Sequence, residues 1–518
     1  VTGEGGPADM VQVRTGTYHD SVSLMRVSQA LSGLPGVEAA MVAMATELNR
    51  GIAAELGFAL PACGPADLLV ALRADDGTAA ARAAAELDRL LSGLAVRTAG
   101  RDAAGHPPRT VRAALREAAG TAGNGGTTAN GGTAAGAAGE GDATLVLVSV
   151  PGPHAFAEAL DAVEAGLPVM IFSDNVPVEQ EVLLKRRAEE TGALVMGPDC
   201  GTAVIGGAGL GFANVLRPGP VGIVAASGTG AQQVACLLDL AGVGVGHILG
   251  VGGRDLSAEV GGLSTLRALE AFDADPATEL IVLISKPPAP EVARAVREAV
   301  EKLATPVVTA FLGPGEDDLT AAAESALRAL GAEPPAWPSW PAVSPGEEPS
   351  GGEGGPGTGA AAPGEAPEAG IGSSRAAAGR RTLRGIYSGG TLCAEARLVA
   401  GTGEFTDYGD DGYTRGRAHP MIDPALRLEA LAAVPSGDVV LLDVVLGHGA
   451  DPDPAARLAP AVAAAVARGV SVVAALVGSE GDPQGLAAQA QALRAAGADV
   501  FASNARAARH AARLAGAR

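Results

Sequence analysis

The sequence predicts an α/β protein in which a small N-terminal α+β unit is followed by a parallel-sheet region and two duplicated, doubly wound lobes. Three observations predict it. From about residue 143 onward, apolar runs of strand length alternate with helix-length segments, the pattern that parallel sheets with right-handed crossovers impose. One ordered set of segments occurs twice, in 216–333 and again in 381–518. Apolar residues make up 47% of the chain and aromatic residues only 3%, so Ala, Val and Leu must do the packing, which suits helices laid on strands.

Residues 1–118 read as the α+β unit. "VQVRTGTYHD" is strand-like, and "SVSLMRVSQALSG" is an amphipathic helix with Asp20 or Ser21 as its N-cap. "VEAAMVAMA" and "LLVALRA" are further strands, and "TAAARAAAELDRLLSGL" is a helix. Residues 119–142, "AGTAGNGGTTANGGTAAGAAGEGD", have the composition of a flexible loop. In 143–215 the order is strand "TLVLVSV", helix "PHAFAEALDAVEAG", strand "LPVMIFS", helix "VEQEVLLKRRAEETG" and strand "ALVMG". The lobes at 216–333 and 381–518 are separated by 334–380, a Pro-, Gly- and Glu-rich stretch expected to be a disordered linker.

The duplication is read segment by segment. "IVAASGTGAQQV" in the first lobe answers "IYSGGTLCAEAR" in the second. "LIVLISKPPAPEVARAV" answers "VVLLDVVLGHGADPDPAARLAPAV", and the closing "ALRALGAE" answers "ALRAAGAD". The Gly-x-Gly-x-Gly in "GVGVGHILGVGG" enters a strand instead of leaving one, so it is not a dinucleotide fingerprint.

Charge and cysteine content narrow the function. A net charge of −21 attracts neither nucleic acid nor an anionic membrane. It leaves room for a small anionic substrate at a local site. Cys63, Cys200, Cys236 and Cys393 lie far apart without a C-x-x-C, which argues against a disulfide framework or a zinc site and fits the cytoplasm. Neither a signal peptide nor an apolar run of about 18 residues is expected.

The repeated turn carries the chemistry. A Ser-Gly-Thr turn between strand and helix presents bare N–H groups at a helix N-terminus, glycine permits close approach, and the macrodipole adds about half a positive charge. Ser227, Gly228 and Thr229 form one candidate anion cradle, and Ser388, Gly389, Gly390 and Thr391 form the other. The turns are expected to be exposed at the strand ends, with approximate twofold packing aiming both helices at one anion. An ordinary tight turn with a helix cap is the competing reading.

Residues 144–331, through "GLPVMIFSDNVP", "VMGPDCGTA", "PGPVGIVAASGTGAQQV" and "GVGGRDL", resemble the α subunit of succinyl-CoA synthetase. With "YHDSVSLMRVSQAL", "SGGTLC" and "GRAHPMIDP" added, nearly the whole chain resembles the FdrA family of acyl-CoA-synthetase-like proteins. The resemblance implies a CoA-binding-like Rossmann-type domain at 143–215 and flavodoxin-like, succinyl-CoA synthetase-like ligase lobes at 216–333 and 381–518. It also implies CoA as a ligand. Two departures matter: the loop after "PVVTAFL" reads "GPGEDDLTAAAES", without the phosphate-carrying histidine of the synthetases, and "ISKPPAP" introduces Lys286 where the synthetases have an acidic segment.

What the resemblance then implies is a subunit of oxamate carbamoyltransferase, in allantoin breakdown, acting with other protein subunits on an acyl or carbamoyl phosphate. An ADP- or GDP-forming acyl-CoA synthetase is the alternative, and a non-catalytic anion- or CoA-sensing scaffold a second one. His419, His448 and Lys286 are the candidate catalytic groups, being at strand ends where ligands collect in open α/β sheets. Arg254, Asp255, Asp410, Asp411 and Arg415 occupy the corresponding loops of the two lobes as candidate substrate contacts. Their carboxylates could hold Mg²⁺ or simply cap turns; no dedicated metal-ligand set is expected.

Overall fold

In a computed structural model of the chain, the described residues are 8–98, 108–122, 143–342, 381–414 and 417–516, apart from positions 16, 18, 20, 66 and 109. The expected cap Asp20, loop residues 123–142, linker residues 343–380 and the candidate Arg415 lie outside them.

The N-terminal unit is a three-stranded antiparallel sheet in the order Ala8–Arg14, Leu68–Ala74, Val37–Met44. Its central strand is apolar on both faces because both are covered. Leu68, Val70 and Leu72 pack with helices Ser21–Ser32 and Gly77–Thr98. Leu69 and Ala71 pack with Ile52 and Ala53 of helix Glu47–Glu55. That last helix was not expected from the sequence; Thr46 caps it by accepting from Asn49 N.

The next region has three parallel strands, Val146–Val148, Val169–Ile171 and Val195–Met196, with helices Gly152–Glu164 and Val178–Thr191. Helix Val111–Ala122 packs on Gly152–Glu164, and Val111 N donates to Glu158 at 2.7 Å. It therefore runs past the expected boundary at 118, into the stretch expected to be loop.

Each lobe is a doubly wound parallel sheet. Taken in chain order, the strands of the first lobe are Val221–Ala225, Val245–Gly250, Leu280–Ser285 and Val307–Phe311, and in space they run second, first, third, fourth. The second lobe has Leu383–Tyr387, Glu404–Asp407, Val439–Val445, Ser471–Val477 and Ala498–Phe501, in the same order with a fifth strand added. The hairpin Thr202–Ile205/Ala208–Gly211 extends the first sheet, and Ser339–Trp340 pairs antiparallel with the fifth strand of the second. The expected linker thus begins as packed chain, because Trp337 is buried with its indole N–H on Glu324 (2.9 Å).

The lobes meet through helices Gly228–Leu240 and Leu319–Ala329 on one side and Gly390–Ala400 and Asn504–Leu514 on the other. Small residues such as Ala231, Ala396 and Ala508 let these helices approach, while each fully buried leucine, Leu238 and Leu392 among them, contributes about 1.5–3 kcal/mol. The correspondence between "ALRALGAE" and "ALRAAGAD" does not hold in space. Helix Leu319–Ala329 lies on the inter-lobe face, whereas Leu486–Ala495 packs with Leu458 and Val462 on the outer face. The fifth strand of the second lobe feeds helix Asn504–Leu514 into the inner position instead. Polar pins fix this face: Gln233 donates to Ala502 O and accepts from Asn504 N, each at 3.0 Å, and Glu395 accepts from Leu319 N at 2.7 Å.

The parallel-sheet region is fastened to the first lobe by Lys185. Its buried ammonium donates to Glu181 (2.8 Å), Asp255 (2.7 Å) and Val251 O (3.0 Å). Asp255 also caps helix Leu263–Asp273 through Ser264 N and Thr265 N. Replacing Lys185 with Met leaves buried Asp255 without its cation, and the expected loss is about 3–5 kcal/mol. A denaturant titration followed by tryptophan-independent circular dichroism should show an earlier transition; an unchanged midpoint would contradict the buried network.

Candidate active site

The two Ser-Gly turns abut. Ser227 is the N-cap of helix Gly228–Leu240: its Oγ accepts from Gly230 N at 3.0 Å and donates to Thr391 Oγ1 at 2.6 Å. Gly389 caps helix Gly390–Ala400, and a Cβ there would stand 2.8 Å from Thr229 Cγ2. Ser227, Thr229, Ser388 and Thr391 are all buried. This corrects the expectation of exposed turns around a shared anion: the hydroxyls face each other, and no gap separates them. The physical reason is that each turn serves as the other's packing partner across the lobe interface.

The cradles also differ. In the second lobe an internal anion already occupies the turn. Asp443, in strand Val439–Val445, accepts from Ser388 N (2.8 Å), Ser388 Oγ (3.0 Å) and Gly389 N (2.8 Å). Buried Arg427 pairs with the same carboxylate at 3.0 Å. In the first lobe, Gly228 is half-buried, and a Cβ on it would meet Thr202 Oγ1 at 3.0 Å. The N–H groups of Gly228 and Thr229 belong to the first helical turn, which has no acceptor within its own helix.

Around these helix starts gather charged groups from both lobes. A Cβ on Gly390 would lie 2.5 Å from Asp407 Oδ2 and 3.4 Å from Lys286 Nζ, so only glycine admits both. Lys286 follows strand Leu280–Ser285 of the first lobe and is exposed; Asp407 ends a strand of the second. Burial pushes Asp407 up from the usual carboxylate range, with Asp443 adding to the shift and Lys286 opposing it. Asp199 is pushed up to about 7, chiefly by burial among protein groups and then by Asp174 and Asp411; Lys286 and Arg254 oppose this. Asp199 is crowded by these protein groups and yet exposed at the protein surface.

His419 closes the cluster. A Cβ on Gly409 would lie 2.9 Å from His419 Nε2, 3.1 Å from Asp407 Oδ1 and 2.5 Å from Ser388 O, so this glycine lets three elements converge. The imidazole packs against Phe212 from the hairpin side, tilted by 41° with ring centroids 5.4 Å apart. Its Nδ1 accepts from Met421 N at 3.3 Å, which puts the proton on Nε2. Burial, then the nearby Arg427, pushes its pKa down to about 4. At neutral pH His419 is therefore an uncharged donor from Nε2, suited to a developing oxyanion and not to accepting a phosphoryl group.

Other expected residues fall elsewhere. His448 has an exposed side chain, and its backbone exchanges hydrogen bonds with Ala213 across the lobes. Asp255 is fully buried in the Lys185 network, and Arg254 pairs with Glu181 at 2.9 Å and donates to Val176 O at 2.7 Å, so this pair braces the fold. Asp410 caps its own turn through Gly412 N, while Asp411 joins the field of Asp174 and Asp199. Among the described residues, no group of three His, Cys, Asp or Glu side chains is placed to hold a metal ion. At the start of helix Gly152–Glu164, a Cβ on Gly152 would meet Asp174 O at 2.2 Å and Asn175 O at 2.7 Å, so only glycine fits there. A cavity of about 340 Å³ lies on the outer face of the second lobe, between Arg384, Tyr408 and Ala433, away from this cluster.

Asp407, Asp443, Arg427 and Asp199 escaped the sequence reading. A signal existed for Asp443, a lone carboxylate inside the apolar run "VVLLDVV", because a buried charge needs a partner.

Comparison with known proteins agrees with this architecture. The sequence is 35% identical to the uncharacterized protein YahF of Escherichia coli (strain K12), over 95% of this chain and 96% of that one. The chain belongs to the YahF family. Residues 386–514 match the family described as CoA-ligase, and residues 8–107 match the AllF, heavy metal-associated domain. The succinate–CoA ligase [ADP-forming] subunit alpha 2 of Archaeoglobus fulgidus is 32% identical over 28% of this chain and 51% of its own length, so this YahF-family member matches about half of that relative. A dinucleotide-forming acetyl-coenzyme A synthetase 1 of Ca. Korarchaeum cryptofilum has 16% identity and a TM-score of 0.28, covering 80% of this chain and 93% of that chain. The YahF-family chain is thus an acyl-CoA-ligase-like α/β protein with a small N-terminal domain, and among its described residues no helix is long and apolar enough to cross a membrane.

Two outcomes follow from the geometry. Gly389→Val forces a branched side chain into Thr229, so it should lower the thermal midpoint, at a cost on the order of 1–3 kcal/mol; a wild-type melting curve would refute the close contact. For His419, ¹⁵N-histidine NMR should show the Nε2–H tautomer and no protonation until the pH nears 4. The unfolded chain takes up that proton near 6.5. Stability should therefore be full above 6.5 and decline as the pH falls toward 4, a decline that His419→Gln removes.

Proposed function

We propose that this chain is the acyl- or carbamoyl-transferring subunit of a multi-subunit cytoplasmic enzyme, and that its reaction is the oxamate carbamoyltransferase reaction of allantoin breakdown. The observation that carries this reading is the convergence of Gly390, Lys286, Asp407 and His419 where the two helix starts abut. The loop after strand Val307–Phe311 supports it, because that loop has no histidine and its Asp318 caps the next helix through Ala321 N. Transfer then has to pass directly between acyl phosphate and acceptor, without a phosphoenzyme.

In the direction of oxalurate formation, the oxamate nitrogen attacks the carbonyl carbon of carbamoyl phosphate. The C–N bond forms, the C–O bond to phosphate breaks, and the nitrogen gives up a proton. The first turn at Gly228 and Thr229, with Lys286, receives the phosphate. His419 Nε2–H donates to the carbonyl oxygen as charge builds. Asp199, in the field of Lys286 and pushed up to about 7, takes the proton.

The test is native co-purification with partner subunits, followed by assay of carbamoyl phosphate formation from oxalurate and phosphate. Lys286→Met should lower phosphate-dependent turnover on the order of 10²-fold or more, the size of effect seen when one transition-state donor is lost. Labelled acyl phosphate should leave no acid-labile label on histidine. The CoA-ligase match over 386–514 favours a second reading, an acyl-CoA ligase. Thioester formation from CoA, ATP and an organic acid, together with a labelled histidine, would replace the first reading by the second.

A further inference from the structure

The N-terminal unit contributes no side chain to the cluster just described, yet it touches the loops that carry both candidate histidines. Helix Ser21–Ser32 is seated on its own sheet by Leu24, Val27 and Leu31. Arg26 and Gln29, three positions apart and so on one helix face, reach residues some four hundred positions onward. Gln29 Nε2 donates to Ile422 O at 2.6 Å, and Arg26 donates to Ala450 O at 3.4 Å.

The first of these contacts lands on a closed turn. Ile422 N and Asp423 N both donate to His419 O, at 2.7 and 3.0 Å, and Met421 N donates to the His419 ring at 3.3 Å. Met421 O accepts from Asp451 N at 2.7 Å, which ties this turn to the His448 loop that Arg26 touches. The Ile422 carbonyl points outward from the turn, and Gln29 is its partner. The turn that Gln29 braces is the one that holds the Met421 N–H on the ring, the contact that assigns the proton to Nε2.

We propose that the N-terminal unit holds the His419 turn in register, with Gln29 as the positioning residue, so that the tautomer of a histidine in the C-terminal lobe is set from the N-terminal domain. For its functional consequence, this inference rests on the reading of His419 as a donor at the transfer site. The geometric claim stands on the contacts themselves.

The experiment uses the full chain. In Gln29→Leu, amide hydrogen exchange of residues 421–423 should accelerate by about fivefold, the factor that loss of one neutral hydrogen bond confers. Exchange in the central strand, residues 68–74, should stay as in wild type. ¹⁵N-histidine spectra, assigned by comparison with His419→Gln, should show the Nδ1–H tautomer appearing for His419, a change that mere loosening elsewhere does not produce. Gln29→Lys, which restores a donor, should return the ring toward Nε2–H. If Gln29→Leu instead disturbs residues 68–74, Gln29→Glu, which keeps the size and faces Ile422 O with an acceptor, takes its place. Unchanged exchange at 421–423 together with an unchanged tautomer overturns the inference. A shifted tautomer with undiminished carbamoyl transfer supports the positioning and removes His419 from the proposed reaction.

Discussion

Two helices meet nose to nose at the centre of this protein, and the rest of the structure is arranged around that meeting. Each N-terminus carries about half a positive charge, so bringing them within a hydroxyl–hydroxyl hydrogen bond of 2.6 Å between Ser227 and Thr391 is unfavourable unless negative charge is supplied. Asp443 supplies it on one side of the second helix start and Asp407 on the other. The lobes can then press their inner helices together, which buries the alanine-rich faces that make up the largest shared core.

The duplicated lobes have used the same turn for different ends. In the second lobe a carboxylate of the chain fills the turn and a buried guanidinium, Arg427, balances it. In the first, strand Leu280–Ser285 ends without a carboxylate in that place, and Lys286 extends instead toward the opposite helix start. One cradle has become a structural anchor with Lys286 of the other lobe against its Gly390, and the other keeps a half-buried glycine beside Thr202. Duplication thus yields a single asymmetric cluster, built from residues of both lobes.

Buried charge is used with the same economy elsewhere. Lys185 satisfies Glu181, Asp255 and a backbone carbonyl and locks the parallel-sheet region to the first lobe. Glu395 accepts from Leu319 N and from Asn504, which fixes the inner helices, and burial pushes it up to about 7. Each such group specifies one arrangement, because any other leaves it unpaired at a cost of several kcal/mol. Function at the cluster and rigidity of the lobes draw on one set of interactions.

The sequence by itself determined the strand–helix alternation of the segments that the lobes share, their duplication and the place of the two turns. Those features follow from local periodicity, turn chemistry and self-similarity, which are properties of consecutive residues. It could also say that no histidine follows strand Val307–Phe311. Only the tertiary structure decided that the turns are buried against each other, that Asp443 fills one of them, and that Leu319–Ala329 and Leu486–Ala495 lie on opposite faces despite like sequences. Asp407, Lys286 and His419 come together from strand ends more than a hundred residues apart in the case of Lys286. The reason is that close approach across an interface is set by how two sheets pack. A glycine such as Gly389 or Gly409 reads in sequence as freedom to turn, while in the folded chain it is the space another residue occupies.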